Sequence, residues 1–337
     1  MTQAAIEFRG VVKRYGTAIA VAGIDLSIAK GELVTFLGPS GCGKTTSLRL
    51  IAGLELPTEG QVFIAGRDVS RDPASARNVG MVFQSYALFP HMSVLDNVAY
   101  GPVIRGQKRA LAQDKAREIL ELVGLGGLHN RLPSELSGGQ QQRVAVARAI
   151  VQQPDVILFD EPLSNVDAKL RRKVREEIRA LQRRFGLTAV YVTHDQEEAL
   201  AVSDRIVVMD KGRIAQIGTP ADLYERPANP FIANFIGDAN LITGQVVDGL
   251  FTAVGLSLAV SGKNGPATLS VRPERIKLAH GGDGRVTSAN YLGSRMEYEV
   301  ATAAGEILVS RPITETRLDI GTEVTLTFDP EALIRVA

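Results

Sequence analysis

The residues with the clearest chemistry form a glycine-rich stretch near the start of the chain, Gly38-Pro39-Ser40-Gly41-Cys42-Gly43-Lys44-Thr45-Thr46. Its spacing fits G-x-x-x-x-G-K-[ST], the pattern of loops that hold nucleotide phosphates. The glycines let the backbone bend so that successive N–H groups converge on an anion. In such a loop Lys44 reaches the β- and γ-phosphates and Thr45 ligates Mg²⁺. The stretch therefore predicts a nucleoside triphosphate site, and the alternative is an ordinary glycine-rich turn.

The flanking residues predict the elements that such a loop needs. Leu33–Leu37 is a continuous apolar run of the length of a buried strand. Residues 47–52 continue from the loop as a helix that Gly53 can end. The positive end of the helix dipole adds to the attraction for phosphate. Strand, loop and helix thus come in the order that phosphate binding requires.

Two carboxylates, Asp160 and Glu161, directly follow another apolar run at residues 156–159. Such a run predicts a buried strand, and open α/β sheets bind ligands at the carboxyl ends of their strands. Asp160 is suited to the ligand shell of Mg²⁺, and Glu161 to orienting or deprotonating a water. An Asp-Glu pair is common in loops and becomes specific only with the glycine-rich loop upstream.

Three further residues have both a functional and a purely structural explanation. Tyr15, between two segments that alternate like antiparallel strands, can stack on adenine or be a strand-end tyrosine. Gln84 ends a predicted strand and can sense Mg²⁺ or the attacking water, or be a surface residue. His194 follows a predicted strand. If it is considered alone, the favoured explanation is a polar residue with its hydrogen bonds satisfied at a strand end.

A second phosphate cradle is predicted directly before a helical run at residues 141–149, in the stretch Leu136-Ser137-Gly138-Gly139-Gln140. Ser137 offers a hydroxyl, and the two glycines offer unobstructed backbone N–H groups at a helix N-terminus. One nucleotide hardly needs two such cradles from one chain. The second cradle is therefore expected to serve the nucleotide of a facing copy, which predicts a homodimer.

That stretch reads LSGGQ, and over its first 240 or so residues the sequence resembles the ATP-binding subunits of ABC transporters. By matching position, the resemblance implies that residues 38–46 are the Walker A loop, that residues 136–140 are the signature, and that Tyr15 stacks on adenine. It implies that Gln84 is the Q-loop glutamine, Asp160 the Walker B aspartate and Glu161 the catalytic base. It also implies that Asp167 is the D-loop aspartate and that His194 is the switch histidine, which contacts the γ-phosphate. The D-loop reads Ser-Asn-Val-Asp where Ser-Ala-Leu-Asp is commoner, but it keeps its aspartate. In this family residues 85–90 border a groove for a coupling helix of the membrane subunit.

The composition limits the classes of protein that remain. With 38 Lys+Arg against 37 Asp+Glu in 337 residues, the chain lacks the basic excess that nucleic-acid binding usually requires. One cysteine excludes an intramolecular disulfide framework, and the first residues lack the layout of a signal peptide, so the expected compartment is the reducing cytoplasm. No apolar run approaches the roughly 18 residues of a membrane helix, so any role at a membrane is expected to go through partner chains.

The length and the changing pattern predict two domains. Residues 1–239 form an α/β nucleotide-binding domain whose helical insertion, at about residues 88–154, shows one apolar face at Ala116, Ile119, Leu120 and Val123. Prolines at positions 220, 227 and 230 predict a linker.

Residues 240–337 predict an all-β domain. Short alternating segments separated by Gly and Pro turns are typical of a small barrel like the OB fold. With 9 Lys+Arg against 11 Asp+Glu and few aromatic residues, this region does not favour nucleic-acid binding. Val271-Arg272-Pro273-Glu274 and Tyr291-Leu292-Gly293 resemble the transport-associated OB domain of importer ATPases for ferric iron, phosphonates, polyamines and sugars.

These observations predict an α/β P-loop NTPase core, RecA-like, with an antiparallel β subdomain, acting as the energy-coupling ATPase of a bacterial ABC importer. The resemblance implies ATP and Mg²⁺ as cofactors. It also implies as partners a second copy, two transmembrane permease subunits and a periplasmic or lipoprotein solute-binding protein, at the cytoplasmic face of the inner membrane. The expected solute is ferric iron or an organophosphonate, with polyamine next.

Two alternatives remain open at this point. A soluble ABC-type ATPase acting on DNA or ribosomes is disfavoured because the chain lacks long coiled coils, a second ATPase unit and a basic face. A nucleotide-binding regulator that hardly hydrolyses ATP is disfavoured because Glu161 and His194 are both present.

Overall fold

The computed structural model describes residues 4–164, 168–260 and 263–337. By its Cα distances the chain divides into two compact units, Met1–Pro220 and Ala221–Ala337. The second unit begins ahead of residue 240 because two short helices group with the β strands that follow them. The domain boundary predicted after residue 239 stays a prediction.

The first unit is built from two sheets and a group of helices. Its strands are β1 (Ala4–Tyr15), β2 (Ala18–Ala29), β3 (Leu33–Leu37), β4 (Glu59–Ile64), β5 (Arg67–Asp68), β6 (Val79–Val82), β7 (Val156–Asp160), β8 (Ala189–Val192), β9 (Arg205–Asp210) and β10 (Arg213–Gly218). Its helices are α1 (Lys44–Ala52), α2 (Val94–Ile104), α3 (Arg109–Leu122), α4 (Gly138–Ile150), α5 (Ala168–Phe185) and α6 (Gln196–Val202).

The central sheet has the strand order β10-β9-β3-β8-β7-β6 and is parallel except for β10. β10 forms an antiparallel hairpin with β9. Strands β3 and β8 are buried along their whole length, as strands covered on both faces are. Because β3, β8, β7 and β6 run side by side in one direction, the residues that follow them meet at one edge of the sheet.

The second sheet of this unit is antiparallel, with the order β2-β1-β4-β5. Its strands alternate buried and exposed residues, so one face packs and the other meets solvent. Ile6 and Phe8 on its inner face share a hydrophobic core with Phe36 of the central sheet and Leu48 of α1. The predicted antiparallel β segment is therefore present, with strands longer than the sequence pattern indicates.

Helices α2, α3 and α4 lie in the chain between β6 and β7, where the periodicity predicts an all-α insertion. Ser93 caps α2 by accepting a hydrogen bond from the Asp96 amide at 3.1 Å. Ala116 and Leu120 of the predicted apolar face are fully buried in a core shared by the three helices. Among the described residues, no helix is both long and apolar enough to cross a lipid bilayer.

Two short helices, α7 (Pro220–Glu225) and α8 (Pro230–Phe235), lie where the prolines predict a linker, and the second unit begins at Ala221 within α7. Both prolines stand at the first helical position, where the missing N–H costs nothing and the fixed φ suits the helix. Asn229 caps α8 by accepting a hydrogen bond from the Ile232 amide at 2.9 Å. Pro220 and Pro230 therefore start helices, which corrects the linker prediction at these two positions, whereas Pro227 lies between the two helices.

The rest of the second unit is all β. Its strands are β11 (Asn240–Val247), β12 (Leu250–Ala253), β13 (Leu256–Ala259), β14 (Gly265–Val271), β15 (Ile276–Tyr291), β16 (Arg295–Thr302), β17 (Gly305–Pro312), β18 (Glu323–Phe328) and β19 (Ile334–Arg335). They form two antiparallel sheets, ordered β13-β12-β11-β14-β19 and β17-β16-β15-β18, around one core that contains Phe251 and Tyr298. Strands β12 and β13 form a hairpin that turns at Gly255, whose φ is 69°.

Candidate functional site

Most of the predicted site residues lie after neighbouring strands of the central sheet, at its carboxyl edge. β3 leads into the glycine-rich loop, β7 ends at Asp160, and His194 comes two residues after β8. Gln84 comes two residues after β6 and is exposed. The strand order β3-β8-β7-β6 sets these positions side by side, which is the arrangement that ligand binding by an open α/β sheet requires.

The glycine-rich loop folds tightly around the Lys44 side chain. Gly43 has a φ of 106°, and a Cβ at this position would collide with the carbonyl oxygen of Ala20. Lys44 is buried, and its Nζ donates hydrogen bonds to the carbonyl oxygens of Gly38 at 2.7 Å and Pro39 at 2.9 Å. Because charged phosphate oxygens are stronger acceptors than carbonyls, this ammonium is available to an anion that enters the loop.

Helix α1 starts at Lys44 with an uncapped first turn. Its N-cap is Gly43, and no side chain among the described residues accepts from the first-turn amides. These N–H groups have no partner within the helix. Thr45 and Thr46 stand in this turn, half-buried, and the helix ends at Gly53 as predicted, with a φ of 73°. The turn therefore offers free donors and the positive helix end to a phosphate.

Asp160 is a partly buried carboxyl at the end of β7. Burial raises the pKa of Asp160 above its ordinary value, the Arg49 guanidinium acts in the opposite direction, and Glu161 adds to the rise. A cation beside such a carboxyl would stabilise its charged form. No three His, Cys, Asp or Glu residues of the described chain cluster as a metal site. Mg²⁺ is ordinarily held by one or two carboxylates together with substrate phosphates, so the oxygen donors of Thr45, Gln84 and Asp160 fit it in kind.

Glu161 has a backbone conformation that non-glycine residues rarely adopt, with a φ of 45°. Its amide donates to the carbonyl of Val192 at 3.1 Å, and its own carbonyl accepts from the Ser164 hydroxyl at 3.0 Å. These bonds hold the strained residue at the end of the sheet. Its Oε2 lies 3.3 Å from Nδ1 of His194, whose side chain is 64% exposed. The structure thus brings together the predicted catalytic base and the predicted switch histidine.

Residues beside His194 form a buried polar cluster that the sequence reasoning missed. Glu198 is only 4% exposed, and its Oε2 accepts hydrogen bonds from Thr193 Oγ1 at 2.7 Å and from the Tyr191 hydroxyl at 3.3 Å. Burial raises the pKa of Glu198, and the Thr193 hydroxyl opposes the rise. The available signal was a glutamate four residues after His194, on the side of α6 that also carries Ala199 and Val202.

Tyr15 ends β1 close to the glycine-rich loop. Tyr15 is 46% exposed, and Lys13 Nζ lies 5.0 Å from the centroid of its ring. Partial burial raises the pKa of Tyr15, the Glu55 carboxylate raises it further, and the Thr46 hydroxyl acts in the opposite direction. The effect of the Thr46 hydroxyl shows that Tyr15 lies beside the first turn of α1. An exposed aromatic ring in this position can stack on a planar base.

The predicted second cradle forms the start of α4. Ser137 Oγ accepts from the Gln140 amide at 3.4 Å, while Gln140 Oε1 accepts from the Ser137 amide at 2.9 Å. This is a reciprocal capping box. Gly139 is buried, whereas Ser137 and Gly138 are exposed. In the part of the chain that the structure describes, no hydrogen bond or ion pair joins this stretch to residues 38–46.

Two predicted features remain, the D-loop aspartate and the segment at residues 85–90. Asp167 of the predicted D-loop lies outside the described residues. In residues 85–90, Tyr86 and Ala87 have φ values of 59° and 49°. Arg148 of α4 donates to the carbonyls of both, at 2.8 and 2.7 Å, so this arginine, which the sequence reasoning missed, ties the segment to the helix that begins at the second cradle.

Comparison with known proteins agrees with this geometry. The family model for ABC transporters matches residues 21–164, and the model for the TOBE domain matches residues 269–336. The Fe(3+) ions import ATP-binding protein FbpC 1 of Rhizobium meliloti (strain 1021) is 55% identical over 335 residues, which cover 96% of this chain and 95% of that protein. The chain belongs to the ATP-binding proteins of the ABC transporter family.

Other members of this family extend the comparison. The Fe(3+) ions import ATP-binding protein FbpC of Escherichia coli (strain K12) is 47% identical over 339 residues, covering 98% of this chain and 97% of that protein. A dimeric bacterial ABC transporter cassette has a TM-score of 0.56 and 32% identity, covering 64% of this chain and 98% of that chain. The same cassette in a post-hydrolysis dimer bound to ADP and Pi gives the same values.

These findings confirm several of the predictions. The fold is the P-loop NTPase fold of ABC cassettes, followed by an all-β TOBE domain. The chain is an ATPase of the ABC importer type, and nucleotide is the ligand of the fold. The alternative of a soluble ATPase acting on DNA or ribosomes is not supported.

Proposed function

We propose that two copies of this chain hydrolyse Mg·ATP at sites shared between them and thereby power the uptake of ferric iron through partner membrane subunits. The observation that carries the catalytic part is the contact of Glu161 Oε2 with His194 Nδ1 at 3.3 Å, at the same sheet edge as the Lys44 loop. It pairs a group that can take a proton from water with a group that can meet the γ-phosphate.

Nucleotide binding is assigned to residues 38–46 and Tyr15. The Lys44 ammonium leaves its two carbonyl acceptors for the β- and γ-phosphates, and the uncapped first turn of α1 donates its N–H groups. The exposed ring of Tyr15 stacks on adenine. Mg²⁺, which neutralises charge on the phosphate oxygens, would be held by Thr45, Gln84 and Asp160.

Hydrolysis is assigned to Glu161 with help from His194 and Gln84. The Glu161 carboxylate accepts a proton from the water as its oxygen attacks the γ-phosphorus, and ADP leaves. His194 donates to the γ-phosphate while its other ring nitrogen stays close to Glu161. Gln84 orients the same water. The left-handed backbone of Glu161 supports this assignment, since strained residues cluster at active sites.

The second cradle completes the site of the facing copy. Ser137, Gly138, Gly139 and Gln140 are assigned to the γ-phosphate that the partner copy holds, and the resemblance implies a role for Asp167 of the D-loop at the same interface. The dimeric ABC cassettes of similar fold support this arrangement. ATP binds the closed dimer better than the open one, so binding closes it and hydrolysis reopens it.

The partner proteins follow from the importer class. We assign two transmembrane permease subunits, whose coupling helices meet residues 85–90, and a periplasmic or lipoprotein solute-binding protein that reaches the chain through them. The chain then lies peripherally at the cytoplasmic face of the bacterial inner membrane and binds no nucleic acid. Residues 1–239 act as the ATPase domain, with its helical subdomain at about 88–154, and residues 240–337 as a regulatory domain.

Ferric iron is proposed as the solute because the relatives at 55% and 47% identity are named for Fe(3+) import. The test is uptake in a strain that lacks the chain and is complemented with the wild type or with Lys44→Ala. We expect wild type to restore uptake of radiolabelled ferric iron and Lys44→Ala to leave it absent. Restored uptake of an organophosphonate or a polyamine, with no change in iron uptake, would overturn the solute assignment.

A further inference from the structure

The backbone on both sides of His194 is tied to one buried acid. Thr193 Oγ1 donates to Glu198 Oε2 at 2.7 Å and accepts from the Asp195 amide at 3.0 Å. Asp195 Oδ1 in turn accepts from the Glu198 amide at 3.0 Å, which caps α6. The residues before and after His194 are therefore closed into a ring of hydrogen bonds that begins and ends at Glu198.

The ring is itself anchored to rigid elements. Tyr191, in the middle of the sheet and fully buried, donates its hydroxyl to Glu198 at 3.3 Å. Arg171 of α5 lies 3.4 Å from Asp195 through Nη1 and Oδ2. Thr193 is 3% exposed and Glu198 is 4% exposed, so water does not compete for these bonds.

The His194 side chain has little else to hold it. It is 64% exposed, and among the described residues its side chain has one polar partner, Glu161. Because the imidazole of His194 is mostly in solvent, packing does not fix its orientation, which therefore depends on the backbone of His194. The circle of hydrogen bonds among Thr193, Asp195 and Glu198 fixes that backbone.

We propose that Glu198 is a positioning residue for hydrolysis, acting through Thr193 Oγ1 to hold His194 against Glu161. This inference rests on the proposed role of His194 in ATP hydrolysis. Glu198 touches neither the substrate nor the reacting water in this account. Its effect is geometric, and a misplacement of about 1 Å by a residue outside the chemistry can cost on the order of 10²-fold in rate.

The first test compares two substitutions at Thr193 in the full chain. Thr193→Val keeps the shape and removes the hydroxyl, whereas Thr193→Ser keeps the hydroxyl and removes a methyl group. We expect Val to lower kcat on the order of 10-fold to 100-fold with little change in KM for ATP, and Ser to retain most of kcat. If the cluster only fills the core, the two variants lose kcat and thermal stability together, which would overturn the proposal.

The second test uses the acid itself and its neighbour. Glu198→Gln keeps an oxygen that accepts from Thr193, whereas Glu198→Ala removes it, so we expect the amide variant to restore the kcat that alanine loses. Glu197→Gln, one position away on the exposed side of α6, is the matched control and should behave as wild type. Equal loss of kcat in the amide and alanine variants would count against the positioning role.

A double-mutant cycle separates this inference from the proposed function. His194→Ala alone is expected to abolish most turnover, and adding Thr193→Val to it should lower kcat no further. If His194→Ala is impaired while Thr193→Val turns over at the wild-type rate, the positioning role is refuted and the proposed hydrolysis mechanism stands. If His194→Ala turns over normally, the proposed role of His194 is refuted, and this inference with it.

Discussion

Helices α1 and α4 both begin at a glycine-rich stretch expected to face phosphate, but their first turns differ. The turn of α1 has Gly43 at its N-cap, and no side chain of the described residues accepts from its amides. The turn of α4 has a capping box in which Ser137 and Gln140 satisfy one another's backbone amides. One helix start has no side-chain cap among the described residues, and the other has the amides of Ser137 and Gln140 already bonded by its own side chains.

The difference bears on how each turn can bind. An uncapped turn with a buried ammonium beside it can bind phosphate within a single chain. In the capped turn the amides of Ser137 and Gln140 can bind a ligand only by exchanging an existing hydrogen bond, so their net gain is smaller. We infer that the α1 turn provides the affinity for nucleotide, and that the α4 turn responds only when a facing copy presents its phosphate.

The largest expected effect is at the open turn. Lys44→Ala removes the one ammonium within the loop, so we expect ATP binding or turnover to be abolished. The measurement is ATPase activity of the assembled transporter together with nucleotide binding by the isolated chain. Lys115→Ala, an exposed lysine of α3, is the matched control and should leave both unchanged. Near-normal activity in Lys44→Ala would refute the phosphate-loop assignment.

A smaller and more selective effect is expected at the capped turn. Ser137→Arg places a long charged side chain where the facing nucleotide would lie, so the variant should bind ATP as a monomer but fail to dimerise. Nucleotide titration and size-exclusion chromatography with ATP measure the two properties separately. Ser134→Arg, exposed and three residues earlier, is the control. Loss of nucleotide binding in the monomeric Ser137→Arg chain would mean that the signature acts on the nucleotide of its own chain.

The sequence predicted correctly those elements whose structure depends on residues close together in the chain. The phosphate loop follows from glycine spacing, and β3 follows from a continuous apolar run, so both were predictable. The antiparallel β1 and β2 follow from alternation. The helices at Pro220 and Pro230 were missed because proline both breaks chains and starts helices, and the sequence alone does not choose between them.

The missed polar residues make contacts that the sequence pattern does not reveal. Arg148 bonds Tyr86 and Ala87, which lie about sixty positions earlier in the chain. Glu198 reaches Thr193 and Tyr191 because a strand and a helix meet there at a sharp turn. The left-handed backbone of Glu161 likewise has no signature in sequence, since it depends on bonds to a neighbouring strand.

The smallest expected effect concerns the capping box itself. Gln140→Ala and Ser137→Ala each remove one half of the box, and loss of an N-cap residue costs about 1 kcal/mol in the free energy of unfolding. Because the two halves form one unit, the double variant should cost less than the sum of the single variants. Chemical denaturation without nucleotide measures all three. Strict additivity would show that the box in α4 does not act as a unit in solution.

The measurement that tests the account most directly uses Glu161→Gln. The amide keeps the shape of the side chain but cannot take the proton of the attacking water, and loss of general-base help costs roughly 10²–10⁴ in rate. Binding should survive, because the open turn of α1 and the capped turn of the facing copy are untouched.

The purified variant is applied to size-exclusion chromatography with ATP and Mg²⁺, and the nucleotide in each peak is counted. We expect a stable dimer that retains two unhydrolysed ATP molecules, while the wild type under the same conditions returns to monomer as ATP is consumed. Turnover at the wild-type rate, or ATP bound to a variant that stays monomeric, would contradict the catalytic role of Glu161 or the site shared between two copies.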